Sequence, residues 1–176
     1  MEDILHSAAE AYQRICNHQY KYTLENGEEF CVVFKPQNFV HLAGLRKLGD
    51  VHAFSNQFSA NNIYKDILRG KICRCDLECS VHFDTDARER IENLSKIDSL
   101  LHTKQVVWNF DRKITRVKTR LKSNVIFFQY EGFNFYLMLG VANDGKTYYP
   151  ETFFLRFDQA YIQGQKIIAI ETLEIT

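Results

Sequence analysis

The sequence predicts an α+β fold, with N-terminal helices packed on an antiparallel β-sheet. Three observations lead there. Apolar residues recur at helical spacing through much of the chain before residue 104. From residue 105 the period changes to two, with glycine turns between the runs. Fourteen Phe and nine Tyr against two Pro favour aromatic-rich strands over linkers or disorder. The 176 residues read as one domain, 1–176, in three parts: an N-terminal helix over 1–18, a hairpin and helical part over 20–103, and a β-meander over 104–176.

Taken in order, Ile4, Leu5, Ala8, Ala11, Tyr12 and Ile15 share one face of a helix over 3–16. Residues 20–34 read as a hairpin about Asn26-Gly27, a pair suited to a tight primed turn. Pro36 ends the second strand, because it has no N–H to give the ladder. Asn38 is placed to cap a helix running to about Leu48 and stopped near Gly49. A third helix carries Ile63, Tyr64, Ile67 and Leu68 and ends at Gly70. Residues 71–83 read as a strand or extended segment. Asp86 with Glu89 resembles a capping arrangement, and the helix beyond it buries Ile91, Leu94, Ile97 and Leu101. Strands are expected over 105–110, 114–121, 124–130, 133–141, 148–157 and 166–175, with turns at Glu131-Gly132 and Asn143-Asp144-Gly145.

Composition excludes several classes. No apolar run approaches the ~20 residues that span a bilayer, so no membrane partner is expected. Met1-Glu2-Asp3 is acidic and does not read as a signal peptide, which makes a cytoplasmic location the expectation. Five Cys is an odd number for a disulfide framework. Cys16 and Cys31 fit apolar patterns as buried thiols. Cys73, Cys75, Cys79 and His82 form C-x-C-x3-C-x2-H, which lacks the usual zinc-ligand spacing and a second ligand pair. Reduced cysteines are therefore expected, with no metal and no cofactor. A phosphate-binding G-x-x-x-x-G-K-[ST] loop, H-E-x-x-H and G-x-S-x-G are all missing, which argues against an ATPase, a zinc protease and an α/β-hydrolase.

A net charge of zero hides an uneven distribution. Lys104 to Lys122 holds seven Lys/Arg and one acid, Asp111. Within it Arg116, Lys118, Arg120 and Lys122 alternate with Val117, Thr119 and Leu121. Period two puts the four cations on one strand face, about 6–7 Å apart. Such a stripe matches a polyanion backbone, or is simply a solvated sheet face. Trp108 and the tyrosines could stack on bases, or belong to the core.

The segment Phe34 to Asp50 carries a histidine and two cations between a strand and a short helix. This segment, with Tyr20 to Gly27 before it and Ile63 to Gly70 after it, resembles one phage and bacterial family. That family is the fourth phage group of nuclease-like domains in the Barnase/EndoU/colicin/RelE (BECR) superfamily. The pattern F-x-HL-x-GL-x-KL-x-D is met by Phe39, His41, Leu42, Gly44, Leu45, Lys47, Leu48 and Asp50. Tyr149-Pro150-Glu151-Thr152-Phe153-Phe154 is similar to the family's late strand. The resemblance implies a BECR-like fold and a metal-independent, RNA-cleaving or toxin-like role. It implies RNA as substrate, with tRNA one candidate, and an antitoxin or immunity protein as a partner.

RNA cleavage without a metal uses the RNA's own 2′-OH as nucleophile. One group takes its proton, another protonates the leaving 5′-oxygen, and cations stabilise the charged phosphorane. Histidine suits both proton transfers, because it titrates near neutral pH. His41 is the candidate acid or base, or else a half-buried packing residue. Lys47 is a candidate phosphate binder, or a solvated helix cation. Thr152 and Tyr149 are candidate positioning groups. On a regular strand they would face opposite sides, unless a bulge near Pro150 shifts the phase. Ser80 is a weaker polar candidate, and Arg46, Arg88 and Arg90 read as surface cations. The competing reading is a non-catalytic RNA-binding or interaction module on the same fold.

Overall fold

A computed structural model describes residues 3–55, 57–115, 117–119 and 123–176. The fold is α+β, with six α-helices and a seven-stranded sheet among the described residues. The chain divides into two compact units. A helical unit holds residues up to Asn17 and Lys35–Lys96. A β unit holds His18–Phe34 and Ile97–Thr176.

Five α-helices belong to the helical unit: α1 (Ile4–Gln13), α2 (Pro36–Leu42), α3 (Ala60–Leu68), α4 (Arg74–Glu78) and α5 (Arg88–Asn93). Asp3 caps α1, accepting from the Leu5 N–H at 2.8 Å and the His6 N–H at 3.2 Å. Its second oxygen accepts from the Arg74 N–H at 2.8 Å, so one carboxylate ties the starts of α1 and α4. The core brings Tyr12 of α1, Phe39 of α2 and Tyr64 of α3 into a triangle of rings, with centroids 5.0–5.8 Å apart. Each tyrosine places its hydroxyl on a carbonyl, Tyr12 on Lys35 at 2.9 Å and Tyr64 on Ala9 at 3.1 Å. Buried aromatics of this kind satisfy their polar end while contributing their apolar face.

The β unit contains the helix α6 (Lys96–Leu101, from Ile97 onward) and every strand: β1 (Gln19–Leu24), β2 (Glu29–Val33), β3 (Gln105–Trp108), β4 (Val125–Tyr130), β5 (Asn134–Val141), β6 (Thr147–Arg156) and β7 (Ile167–Ile175). They close into a barrel in the order β1-β2-β6-β5-β4-β3-β7. The expected sheet is therefore corrected in one respect: it is mixed. β2 and β6 run parallel through Cys31↔Thr147 and Val32↔Tyr148, while the other six pairings are antiparallel. Closure leaves no open edge among the described strands. Tyr22, Phe30, Phe127, Trp108 and Tyr148 pack ring against ring, and Tyr22 donates to the Leu101 carbonyl at 2.9 Å. Trp108 is thus a core residue and not a platform for bases.

Four further expectations change. The helix starting near Asn38 ends at Leu42 instead of Leu48, because Gly44 adopts φ +77°. Residues 71–83 contain α4 and no strand, with Cys73 as its N-cap and the Asp76 carboxylate three residues on accepting from the Cys73 N–H at 2.8 Å. The helix expected beyond Asp86 is three pieces: a π-helical turn at Phe83–Ala87, α5 and α6. The strand expected over 114–121 is not formed in its described residues. There Thr115 donates to the Ala160 carbonyl at 2.8 Å, and Val117 packs on a cluster containing Tyr136, Met138 and Tyr161.

Candidate active site

The motif between Phe39 and Asp50 lies wholly in the helical unit, and most of its residues have a structural task. Phe39, Leu42, Leu45 and Leu48 are fully buried. Gly44 combines a positive φ with a close approach: a Cβ there would sit 2.6 Å from the Asp86 carbonyl oxygen and 3.1 Å from the Arg90 side chain. Lys47 reaches the same segment, its Nζ 3.1 Å from Asp86 Oδ1. Asp50 accepts from the Ser80 hydroxyl at 2.7 Å and the Val81 N–H at 3.0 Å. The Ser80 bond foremost holds the Asp50 carboxyl below its ordinary range, and the Lys47 bond foremost does the same for Asp86. His41 is exposed in the last turn of α2.

Two residues around this motif carry more than their sequence position suggested. Arg46, read as a surface cation, donates to three carbonyls: Ser55 at 2.6 Å, Phe58 at 2.7 Å and Phe54 at 3.1 Å. His82 stands with its Nδ1 3.9 Å from Asp86 Oδ2, and its side chain is 52% exposed. A second imidazole thus borders the Lys47–Asp86 pair. The i,i+4 spacing of His82 and Asp86 was a readable signal for it. Ser80 is buried, and besides donating to Asp50 it accepts from the His82 N–H at 3.1 Å. Arg88 is engaged by Asp84 at 2.8 Å and Glu92 at 3.2 Å.

Tyr149 and Thr152 belong to the β unit. Opposite β5, Pro150 pairs with Leu139 and Thr152 with Met138, so Glu151 is an extra residue in the ladder. This bulge puts Tyr149 and Thr152 on one face, opposite Gly140 and Met138 respectively. Tyr149 lies exposed over Gly140, where any Cβ would meet its ring at 2.7 Å. Thr152 is buried, and the Glu151 carboxylate accepts from the buried Ser123 hydroxyl. Of the basic stripe, Lys118 is exposed outside regular structure, while Arg116, Arg120 and Lys122 lie outside the described residues. His41 and Lys47 are therefore grouped on one unit, and Tyr149 and Thr152 on the other.

The cysteine segment also departs from expectation. Cys73 and Cys75 are joined in a disulfide, with Cα atoms 5.4 Å apart, while Cys16, Cys31 and Cys79 are free thiols. Cys16 is buried as expected, and Cys31 is half-buried. Among the described residues, one group offers metal-ligand atoms close together: Cys73, Cys75 and Asp76, within 4.8 Å of one another. Metal ligation requires thiolates, which the disulfide withholds.

A family model described as phage-Barnase-EndoU-ColicinE5/D-RelE like nuclease4 (PBECR4) matches residues 4–171. The chain belongs to this family. PBECR4 membership makes it a nuclease-like domain. No curated protein and no solved structure matches the chain. Among the described residues, no helix is long and apolar enough to cross a membrane.

Proposed function

We propose that this domain is a metal-independent endoribonuclease, toxin-like in role, that cleaves RNA by attack of a 2′-OH on the adjacent phosphate. One observation carries the reading. In the motif from Phe39 to Asp50 the apolar residues are core and Gly44 is required by backbone approach, while His41 is exposed in the last turn of α2, on the same unit as the exposed Lys47. His41 is the proton-transfer group. Lys47 and the stripe of Arg116, Lys118, Arg120 and Lys122 supply phosphate contacts, and Tyr149 and Thr152 are positioning groups. The 2′-OH serves as nucleophile, so the proton and charge transfers can be met by side chains. RNA is the substrate, tRNA one candidate, and an antitoxin or immunity protein the expected partner of a toxin acting in the cytoplasm.

One observation favours the second reading, an RNA-binding or interaction module. Lys47 is already neutralised by Asp86, so the motif's cation is not presented to phosphate in this state.

The deciding experiment incubates the purified protein with total RNA in excess EDTA, beside His41→Ala. Discrete fragments ending in cyclic phosphate, from the unaltered chain alone, are the expected result. Absence of cleavage, with salt-sensitive RNA binding equal in both proteins, would transfer the assignment to the binding module.

A further inference from the structure

We propose that the cavity lined by His52, Ala53 and Phe58 on one side and by α3 on the other is a nucleobase subsite, which takes one unstacked base of single-stranded RNA together with its phosphate. The proposal rests on the RNA-directed reading above and adds to it a second contact point, away from the His41 motif. The cavity has a volume of about 270 Å3, and all its lining residues belong to the helical unit. That is below the size of pockets for drug-like ligands and suits a single heterocycle.

Its walls have the chemistry a base requires. Phe58 is 41% exposed and stands edge-to-face with the His52 ring, centroids 5.2 Å apart. Every base has a π-face that stacks on such a ring without regard to sequence. Asn62 lines the cavity and is exposed to solvent. An amide offers both donors and an acceptor, the set that reads a base edge. Lys71 lies at the rim. Its Nζ is 3.5 Å from Asp66 Oδ1, which Arg69 also approaches at 3.9 Å. Two cations share one carboxylate there, leaving one positive charge for a phosphate, while Asp66 itself would oppose an anion placed directly on it.

The walls are also held in place before any ligand arrives. The three Arg46 bonds fix the backbone at Phe54, Ser55 and Phe58, the stretch that carries the stacking ring. At the other side the Lys71 and Ile72 N–H groups donate to the Asp66 carbonyl at 2.9 and 3.4 Å, fixing the rim against α3. Pre-ordered walls lower the entropy lost on binding, which matters most for a ligand as small as one nucleotide. This also gives a reason for both terminal nitrogens of Arg46 to donate to main-chain carbonyls.

The test titrates the 15N-labelled full chain with the four ribonucleoside 3′-monophosphates and with ribose 5-phosphate, alongside Phe58→Ala and Asn62→Ala. Saturable shifts at residues 52–72, including the Asn62 side-chain NH2, are expected with nucleotides. Phe58→Ala should weaken binding about tenfold or more, with its remaining spectrum unchanged. Equal shifts from ribose 5-phosphate, undiminished binding by Phe58→Ala, or no shift at 52–72 would each overturn the subsite. RNA cleavage followed on the same samples separates the two proposals. Cleavage without nucleotide binding at 52–72 removes the subsite and keeps the nuclease, whereas binding without cleavage does the reverse.

Discussion

The helical unit and the β unit are stabilised in different ways. The β unit is built on a closed ladder of strands and stacked aromatic rings, with β5 buried along both faces for almost its whole length. The helical unit is built from helices of five to ten residues, too short to be stable alone. Its joints are polar and specific: Asp3 on Arg74, Arg46 on three carbonyls, Asp50 on Ser80, Lys47 on Asp86. A ladder holds its shape through many equivalent bonds, whereas the helical unit relies on a few that cannot be exchanged. That gives the helical unit exposed, fixed side chains such as His41, His82 and Phe58, and makes it sensitive to single changes.

The sharpest way to separate shape from chemistry is His41→Ala. The residue is exposed, so unfolding stability should stay within about 0.5 kcal/mol of the unaltered chain. Cleavage should fall about a hundred- to ten-thousand-fold, the usual worth of a positioned acid or base. Denaturant melts and RNA assays on one preparation read both. A loss of stability matching the loss of activity would make His41 a packing residue.

Next in size is a pair of glycines, one in each unit. Gly44 and Gly27 both have positive φ, but only Gly44 faces backbone at 2.6 Å, whereas a Cβ on Gly27 meets nothing within 4 Å. Gly44→Ala should cost about 3 kcal/mol, conformational cost and overlap together. Gly27→Ala should cost about 1 kcal/mol, the conformational part alone. Equal losses in chemical denaturation would show that the approach of Gly44 to Asp86 is soft.

Asp86→Asn probes the alternative to catalysis. The Lys47–Asp86 pair is half exposed, so its removal should cost under about 1 kcal/mol. Freed from the carboxylate, Lys47 gains a phosphate contact. RNA affinity should rise and the slope of log K against log salt should steepen by about 0.7. An unchanged slope would remove Lys47 from the phosphate binders.

What the sequence revealed follows the same division. Strands β3 to β7 came within two residues of their expected ends, because alternation and glycine turns are local signals. The parallel seam of β2 on β6 was not legible, since pairing between distant strands leaves no local mark. In the helical unit Leu45 and Leu48 continued the helical spacing of α2, and only the need for a left-handed Gly44 breaks it. Residues 71–83 read as a strand or extended segment, although the Cys73/Asp76 spacing is that of a helix start. His41 and Lys47 were singled out because the motif resembles a family. The Arg46 contacts were not legible, since its carbonyl partners lie eight to twelve residues away, whereas the i,i+4 spacing of His82 and Asp86 could be read.

The smallest expected effect tests the parallel seam. Asp144 accepts from the Lys146 N–H at 2.9 Å, the Thr147 N–H at 2.8 Å and the Thr147 hydroxyl at 2.6 Å. These bonds, led by the Thr147 hydroxyl, bring its carboxyl down to about 2. The same turn presents the Lys146 carbonyl to the Cys31 N–H at 3.2 Å, next to the Cys31↔Thr147 pairing that joins β2 to β6. A carboxyl depressed in the folded state stabilises it fully above its unfolded pKa, about 4. That contribution is then lost as pH falls through about 2. Thermal melts of the unaltered chain should therefore steepen between about pH 4 and pH 2 more than those of Asp144→Asn, with the two curves running parallel at neutral pH. Since Asp144 is fully exposed, salt should blunt the difference. Hydrogen exchange at Cys31 and Val32 would show whether the loss is felt at the seam. If those amides stay protected at low pH while the melt shifts, the turn and the seam act independently, and closure of the barrel rests on its antiparallel pairings.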